Sequence, residues 1–158
     1  MIKLFVSDVD GVLTDGSMYY SENGDELKRF STYDGMAFSI LRKRGIKTAI
    51  VTSENTKIVS NRCAKMKIDF VYQGLYGDEK LSAVKKICKE NNILLNEVSY
   101  IGDDLNCTEI LNNVGHKACP SNAVKDIKNI KDILLLSYNG GDGVVREYVD
   151  FLISKRLI

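Results

Sequence analysis

Short apolar runs that break off into polar, chemistry-bearing residues alternate with helical patterns, and this alternation constrains the fold more than any other feature. Residues 2–7 (Ile2-Lys3-Leu4-Phe5-Val6-Ser7) read as a buried strand, as do Lys47–Thr52 and Val98–Ile101. Asp69–Tyr72 is a shorter strand and Ile133–Leu136 a late one. Helical spacing fills the gaps. From Asp34, Met36, Ile40 and Leu41 share a face that Gly45 ends. Ile58, Val59, Cys63 and Met66 mark a helix over about residues 56–66, and Asp78 is placed to cap one carrying Leu81, Val84, Ile87 and Cys88. Val144 to Ser154 closes the chain as an amphipathic helix. Strands alternating with helices predict an α/β fold: a mostly parallel sheet with helices on both faces. After the first strand, Met18-Tyr19-Tyr20 and Glu26–Phe30 flank Ser21–Asp25, and Asn23-Gly24 predicts a β-hairpin because both residues tolerate positive φ.

The 158 residues suit one domain spanning 1–158, and 44% hydrophobic with 27% charged residues is the balance of a folded globular chain. Lys plus Arg is 22 and Asp plus Glu 21, so a net charge of +1 gives no electrostatic case for nucleic acid or an anionic membrane. No apolar run is long enough to span a bilayer, and no basic segment precedes a cleavable apolar stretch. Cys63, Cys88, Cys107 and Cys119 form no C-x-x-C pair, and His116 is the only histidine, which argues against structural zinc. Reduced thiols and a cytoplasmic location are expected.

Function resides at the strand ends, because ligands of open α/β sheets collect beyond the carboxyl ends of the strands. The first strand runs into Ser7-Asp8-Val9-Asp10-Gly11, the second delivers Thr52-Ser53, a helix start carries Lys80, and a later strand ends at Asp103-Asp104. Each residue alone has an ordinary explanation: strand-end Asp makes turns, Thr-Ser caps helices, and a lysine at a helix start is solvated. Four segments in order, aimed at one edge, suit phosphoryl transfer. Carboxylates are hard oxygen ligands that select Mg2+. One carboxylate can act as nucleophile and another as proton carrier. A hydroxyl, backbone N–H groups and an ammonium stabilise charge on the transferring oxygens.

Phe5–Val12, Val51-Thr52-Ser53, Lys80 and Ile101-Gly102-Asp103-Asp104 are similar to the four motifs of the haloacid dehalogenase superfamily of phosphohydrolases. The chain most resembles the small cap-less branch that dephosphorylates 2-keto-3-deoxy sugar acids. Its markers are Thr14-Asp15-Gly16 before a hairpin, Lys28-Arg29-Phe30 with Asp34-Gly35, Tyr72-Gln73-Gly74, and Gly140–Glu147. The resemblance implies that Asp8 is nucleophile and metal ligand. It implies that Asp10 is general acid/base and lends the metal a backbone carbonyl. Asp103 would be the third protein ligand and Asp104 its supporting neighbour, while Thr52, Ser53 and Lys80 bind phosphate. It also implies a homotetramer in which the hairpin and glycine-rich tail of one subunit help close a neighbour's site.

Two departures stand out. The family usually has Asp four positions after the first Asp of the fourth motif, where this chain has Cys107; and the loop Leu75–Glu79 before Lys80 is longer than usual. Glu54 follows Thr52-Ser53 where the branch acting on 3-deoxy-D-manno-octulosonate (KDO) 8-phosphate typically has Arg, and that swap favours a nine-carbon nonulosonate 9-phosphate, with KDO 8-phosphate as the alternative. Arg62 and Arg146 are candidates for the substrate carboxylate, or else form structural ion pairs, and Asp34 joins them and Glu54 as a candidate for substrate specificity. The glycines at 140, 141 and 143 either expose N–H groups to an anion or only make a turn. A receiver-like signalling domain shares some of these residues but in a different order, and a non-catalytic interaction subunit is the other rival.

Overall fold

The computed structural model describes residues 1–24 and 26–158. In chain order the elements are β1 (Leu4–Ser7), β2 (Tyr19–Tyr20), β3 (Glu26–Leu27), α1 (Thr32–Lys43), β4 (Lys47–Val51), α2 (Lys57–Met66) and β5 (Phe70–Tyr72), then α3 (Asp78–Asn91), β6 (Val98–Ile101), α4 (Thr108–Asn113), β7 (His116–Cys119), α5 (Lys125–Lys128), β8 (Leu134–Leu135) and α6 (Val144–Ser154). Six strands form one sheet in the order β5-β4-β1-β6-β7-β8, every pairing parallel, with β1 between β4 and β6. β2 and β3 make the expected antiparallel hairpin, although Asp25 of its turn lies outside the described residues.

Alternation along β1 sorts side chains between two cores. Phe5 faces α1 and α6, packing edge-on against Phe38 at 6.0 Å and beside Tyr148 at 5.7 Å. Leu4 and Val6 face the opposite layer with Val84, Ile87, Ile110 and Ile127 of α3, α4 and α5. β1 is therefore buried on both sides, as its unbroken apolar run requires. Tyr148 is fully buried and keeps its hydroxyl satisfied by accepting from Ser99 Oγ at 2.8 Å.

Helix ends follow local chemistry, with two corrections to expectation. α1 starts at Thr32 because Ser31 caps it, accepting from Tyr33 N. The face it buries is Asp34, Ala37, Phe38 and Leu41, leaving Met36 53% exposed rather than in the core. Thr56 caps α2 through Val59 N at 3.3 Å. Asp78 does not cap α3: it is the first helical residue, Gly77 occupies the cap, and Glu79 Oε2 accepts from Tyr76 N at 3.0 Å. Among the described residues no helix is long and apolar enough to cross a membrane. All four cysteines are buried free thiols.

A parallel sheet brings its strand ends to one edge, so the loops after β1, β4 and β6 converge with the start of α3. The loop after β1 is held there by the glycine-rich segment before α6. A Cβ on Gly140 would fall 2.1 Å from Gly11 O, and one on Gly141 would fall 2.7 Å from Asp15 N. Gly140 N donates to Asn122 Oδ1 and Gly141 N to Val12 O. These two glycines are thus neither an anion nest nor a loose turn. They let two backbones touch, and their N–H groups are spent on that contact.

Candidate active site

Asp8 continues β1, its N–H donating to Ile101 O across the sheet at 3.1 Å. The side chain is 4% exposed. Its Oδ1 accepts from Val9 N at 2.7 Å; its Oδ2 accepts from Lys80 Nζ at 2.7 Å and from Cys107 Sγ at 2.9 Å. Lys80 comes from the first turn of α3 and is wholly buried, so the longer preceding loop still delivers it. Burial works against its charge, but Asp8, Cys107 and Asp103 outweigh that and hold its pKa above the usual lysine value.

Asp10 stands two residues on. Thr14 Oγ1 donates to its Oδ1 at 3.0 Å, and Lys28 Nζ, reaching in from just after β3, bonds both carboxylate oxygens at 3.0 Å. The Lys28 side chain has no exposed surface and also faces Glu26 Oε1 at 3.1 Å and Glu54 Oε2 at 3.8 Å. Burial opposes its charge, yet Asp10 and Glu26 keep its pKa raised. Sequence reasoning missed this role. Lys28 was visible only as part of a marker string, and a contact spanning 18 residues through a hairpin leaves no periodic signal.

Asp103 follows β6. Burial, then the negative neighbours Asp8 and Asp104, push its carboxyl up to about 7. Gly11, at φ +77°, passes so close that a Cβ there would fall 1.8 Å from Asp103 Oδ2. Two carboxylates are thus forced together under a backbone cradle, the condition that a divalent cation relieves. The donor atoms of Asp8, Asp103 and Cys107 lie within 4.8 Å of one another. The donor set fits a divalent metal. Asp104 also lines the cleft and caps a short 3₁₀ turn, accepting from Leu105 N at 2.7 Å.

Asp8, Asp10, Asp103 and Asp104 line a cleft of about 220 Å3 with Thr52, Ser53 and Glu54 from the loop that follows β4. Thr52 is buried, its Oγ1 accepting from Glu54 N at 3.3 Å. Ser53 Oγ donates to Leu75 O and accepts from Asn106 Nδ2 at 2.8 Å, so its hydroxyl proton is already engaged. Asn106 is a second residue that sequence reasoning passed over, since nothing local ties it to Ser53. Glu54 precedes α2 by three residues and faces the cleft mouth, so it is not a first-turn acid answering a helix dipole.

Asp34, Arg62 and Arg146 do not line this cleft. Arg62 Nη2 donates to Ser31 O at 2.8 Å, and its guanidinium lies over Phe30 at 5.4 Å. Arg146 Nε pairs with Asp150 at 2.9 Å across one helical turn. Asp34 accepts from Arg146 N at 3.0 Å. Within one chain the three join α1, α2 and α6, the structural alternative weighed above. Asp15 also acts structurally, accepting from Ser17 N at 2.9 Å and from Arg29 Nε at 3.2 Å, which pins the hairpin to the loop after β1.

The haloacid dehalogenase-like hydrolase profile matches residues 75–147. A 3-deoxy-D-manno-octulosonate 8-phosphate phosphatase of Escherichia coli K12 is 36% identical over 152 residues, covering 96% of this chain and 79% of that protein. The enzyme of that name from Moraxella catarrhalis, solved with magnesium ion, phosphate ion and KDO, superposes with a TM-score of 0.91 at 33% identity, covering 97% of this chain and 86% of the other. A cobalt-bound form of the Haemophilus influenzae enzyme superposes at 0.89 with 31% identity, covering 97% and 88%. The likeness to these relatives thus runs along almost the whole chain. The chain belongs to the haloacid dehalogenase-like hydrolases, as a phosphoric monoester hydrolase that uses Mg2+.

Proposed function

We propose that this enzyme removes the terminal phosphate of a 3-deoxy-2-keto sugar acid, with KDO 8-phosphate as the substrate its relatives support. The observation that carries the reading is the arrangement around Asp8. One carboxylate oxygen is gripped by the Val9 N–H, the other by Lys80, and the whole group opens to the cleft. Asp8 attacks phosphorus, and the bond to the sugar oxygen breaks as Asp10 gives that oxygen a proton. Asp10 then takes a proton from water as the water attacks the aspartyl-phosphate, and inorganic phosphate leaves. The Thr52 hydroxyl and the backbone N–H of Ser53, whose side-chain hydroxyl is spent on Leu75, receive the phosphoryl oxygens with Lys80. Asp8, Asp103 and the Asp10 carbonyl would hold Mg2+, which supplies charge neutralisation at the phosphate when bound.

A second reading, a nine-carbon nonulosonate 9-phosphate, rests on Glu54. Its carboxylate stands at the cleft mouth, 3.8 Å from Lys28 and a third exposed, where it can accept hydrogen bonds from a longer polyol or an amine. At about 220 Å3 the cleft takes a phosphoryl group and the nearest carbons, being smaller than the roughly 300–1,000 Å3 typical of a whole small-molecule site. The rest of the sugar extends toward the hairpin. That supports a homotetramer in which a neighbour completes the site.

Comparing kcat/KM on KDO 8-phosphate, KDN 9-phosphate and N-acetylneuraminate 9-phosphate tests the assignment. A KDO preference supports the first reading; a nine-carbon preference that collapses in Glu54→Arg supports the second. Turnover on none of them while simpler sugar phosphates react would remove both. Asp8→Asn should lose at least about four orders of magnitude of Mg2+-dependent phosphate release, as nucleophile removal does elsewhere.

A further inference from the structure

We propose that Cys107 gives this metal centre a sulphur donor, so that it takes thiophilic divalent cations such as Co2+ or Zn2+ through a thiolate as well as Mg2+ through oxygen. The inference rests on the Asp8–Asp103 metal centre described above and concerns what the third side chain adds to it.

Geometry comes first. Cys107 Sγ lies 2.9 Å from Asp8 Oδ2, and the Asp8, Asp103 and Cys107 donor atoms all fall within 4.8 Å of one another. Bonds of about 2.1 Å to oxygen and about 2.3 Å to sulphur meet near a right angle when their donors are 2.9 Å apart, so one ion can touch Asp8 and Cys107 together and reach Asp103 after a small shift. The thiol is also held in place. Cys107 has no exposed surface, Tyr100 OH donates to its sulphur at 3.1 Å, and Lys80 Nζ stands 3.9 Å away. Gly102 presses in from the strand end, where a Cβ would fall 2.7 Å from both Cys107 Cβ and Sγ. A sulphur with so little freedom is a prepared donor.

Chemistry supplies the selectivity. Two carboxylates alone favour a hard ion; adding a thiolate shifts preference along the series toward Co2+ and Zn2+. On binding, the Cys107 S–H bond breaks, a sulphur–metal bond forms and the proton leaves to solvent; no electrons change hands. Since Asp8 Oδ2 and Cys107 are neighbours, a thiophilic ion seated this way also occupies the carboxylate that would attack phosphorus. Such ions should therefore compete with Mg2+ and suppress turnover.

The test is optical and needs no substrate. Metal-free protein is titrated with CoCl2 while the near-ultraviolet and visible spectra are followed. The expected result is a thiolate-to-cobalt charge-transfer band that saturates at one Co2+ per chain and is absent from Cys107→Ser. The serine variant should lose about tenfold or more in Co2+ affinity, on the scale of disturbed metal sites, while its Mg2+ affinity, read by competition, moves much less. Cobalt d–d bands without the charge-transfer band would overturn the proposal and leave the oxygen-only Mg2+ centre intact. A band that persists in Cys107→Ser would assign it to Cys63, Cys88 or Cys119 and overturn the proposal equally. If neither Co2+ nor Mg2+ binds, the metal centre itself fails and the proposal with it.

Discussion

At the scale of single residues, one charge arrangement decides the chemistry. Asp8 and Asp10 sit two positions apart, yet their neighbours differ. Asp8 is buried against Lys80, Val9 N and the Cys107 thiol, whereas Asp10 is partly exposed and faces a hydroxyl and Lys28. In the proposed mechanism, environment and not residue type separates the nucleophile from the proton carrier. Asp10→Asn should lower kcat by about 10^2–10^4. Rapid-quench detection of phosphate on Asp8 checks it with an activated aryl phosphate, whose leaving group needs no proton, so that only the second step loses its base and the intermediate accumulates. Lys28 makes a different kind of prediction. Its ammonium is the positive charge placed among Asp10, Glu26 and Glu54. Lys28→Met leaves three carboxylates facing one another and should cost about 1–3 kcal/mol by urea denaturation. That is less than the roughly 3–5 of a fully buried broken pair, because the carboxylates keep some exposure. Lys28→Arg should recover part of the loss.

At the scale of elements, α1 and α6 are joined by a buried acid whose charge the fold barely supports. Asp34 is 1% exposed; Oδ1 takes the Arg146 N–H, while Oδ2 has no hydrogen-bond partner among the described residues. Burial raises its pKa to about 6, against backbone donation from Arg146 and Val145 and the charge of Arg62. The folded value lies above the unfolded one. This group's stabilising contribution is therefore complete below about pH 3.8 and is lost as pH rises through about 6. A rise of about two units corresponds to no more than roughly 3 kcal/mol. Asp34→Asn should flatten that part of the stability profile between about pH 4 and 6, read from urea midpoints at several pH values. The elements also show how much the sequence carries. β1, β4, β6 and α6 were legible because continuous apolar runs and a 3.6-residue stripe are local patterns, and Asp8, Thr52, Lys80 and Asp103 because each lies at the end of such a pattern. Met36 was misplaced because α1 turns the stripe Asp34, Ala37, Phe38 and Leu41 inward, and Met36 falls outside that stripe. Arg62, Arg146 and Asp34 were drawn toward the substrate by their charge, but long side chains go where tertiary partners are, and here those are Ser31, Phe30 and Asp150. Lys28 and Asn106 join elements distant in sequence, so no window along the chain could pair them with Asp10 and Ser53.

At the scale of the whole molecule, the hairpin is the part a single chain explains least. β2 and β3 are two residues each, and an isolated two-stranded hairpin is marginal in water. This one nonetheless exposes Met18, Tyr19, Tyr20 and Leu27, with Tyr20 at 66% and Leu27 at 70%. Its inner side is fixed: Arg29 links Asp15 to Asp142, and Lys28 reaches Asp10. Its outer side is therefore a rigid apolar surface at the mouth of a cleft too small for a whole sugar acid. Contiguous exposed apolar surface marks contact with another molecule, and in the proposed homotetramer a neighbouring subunit would cover it and complete the site. Placing a charge there separates assembly from chemistry. Tyr20→Glu with Leu27→Glu should reduce the mass seen by light scattering from tetramer toward monomer, while denaturant midpoints of the dissociated chain stay within about 1 kcal/mol, as for most exposed substitutions. Because Asp8, Lys80 and Asp103 lie within each chain, the dissociated enzyme should still hydrolyse a small aryl phosphate. Turnover of the long sugar phosphate should fall through KM. A double variant that remains tetrameric would remove the hairpin from the interface. One that dissociates yet keeps its sugar-phosphate KM would show that each chain closes its own site.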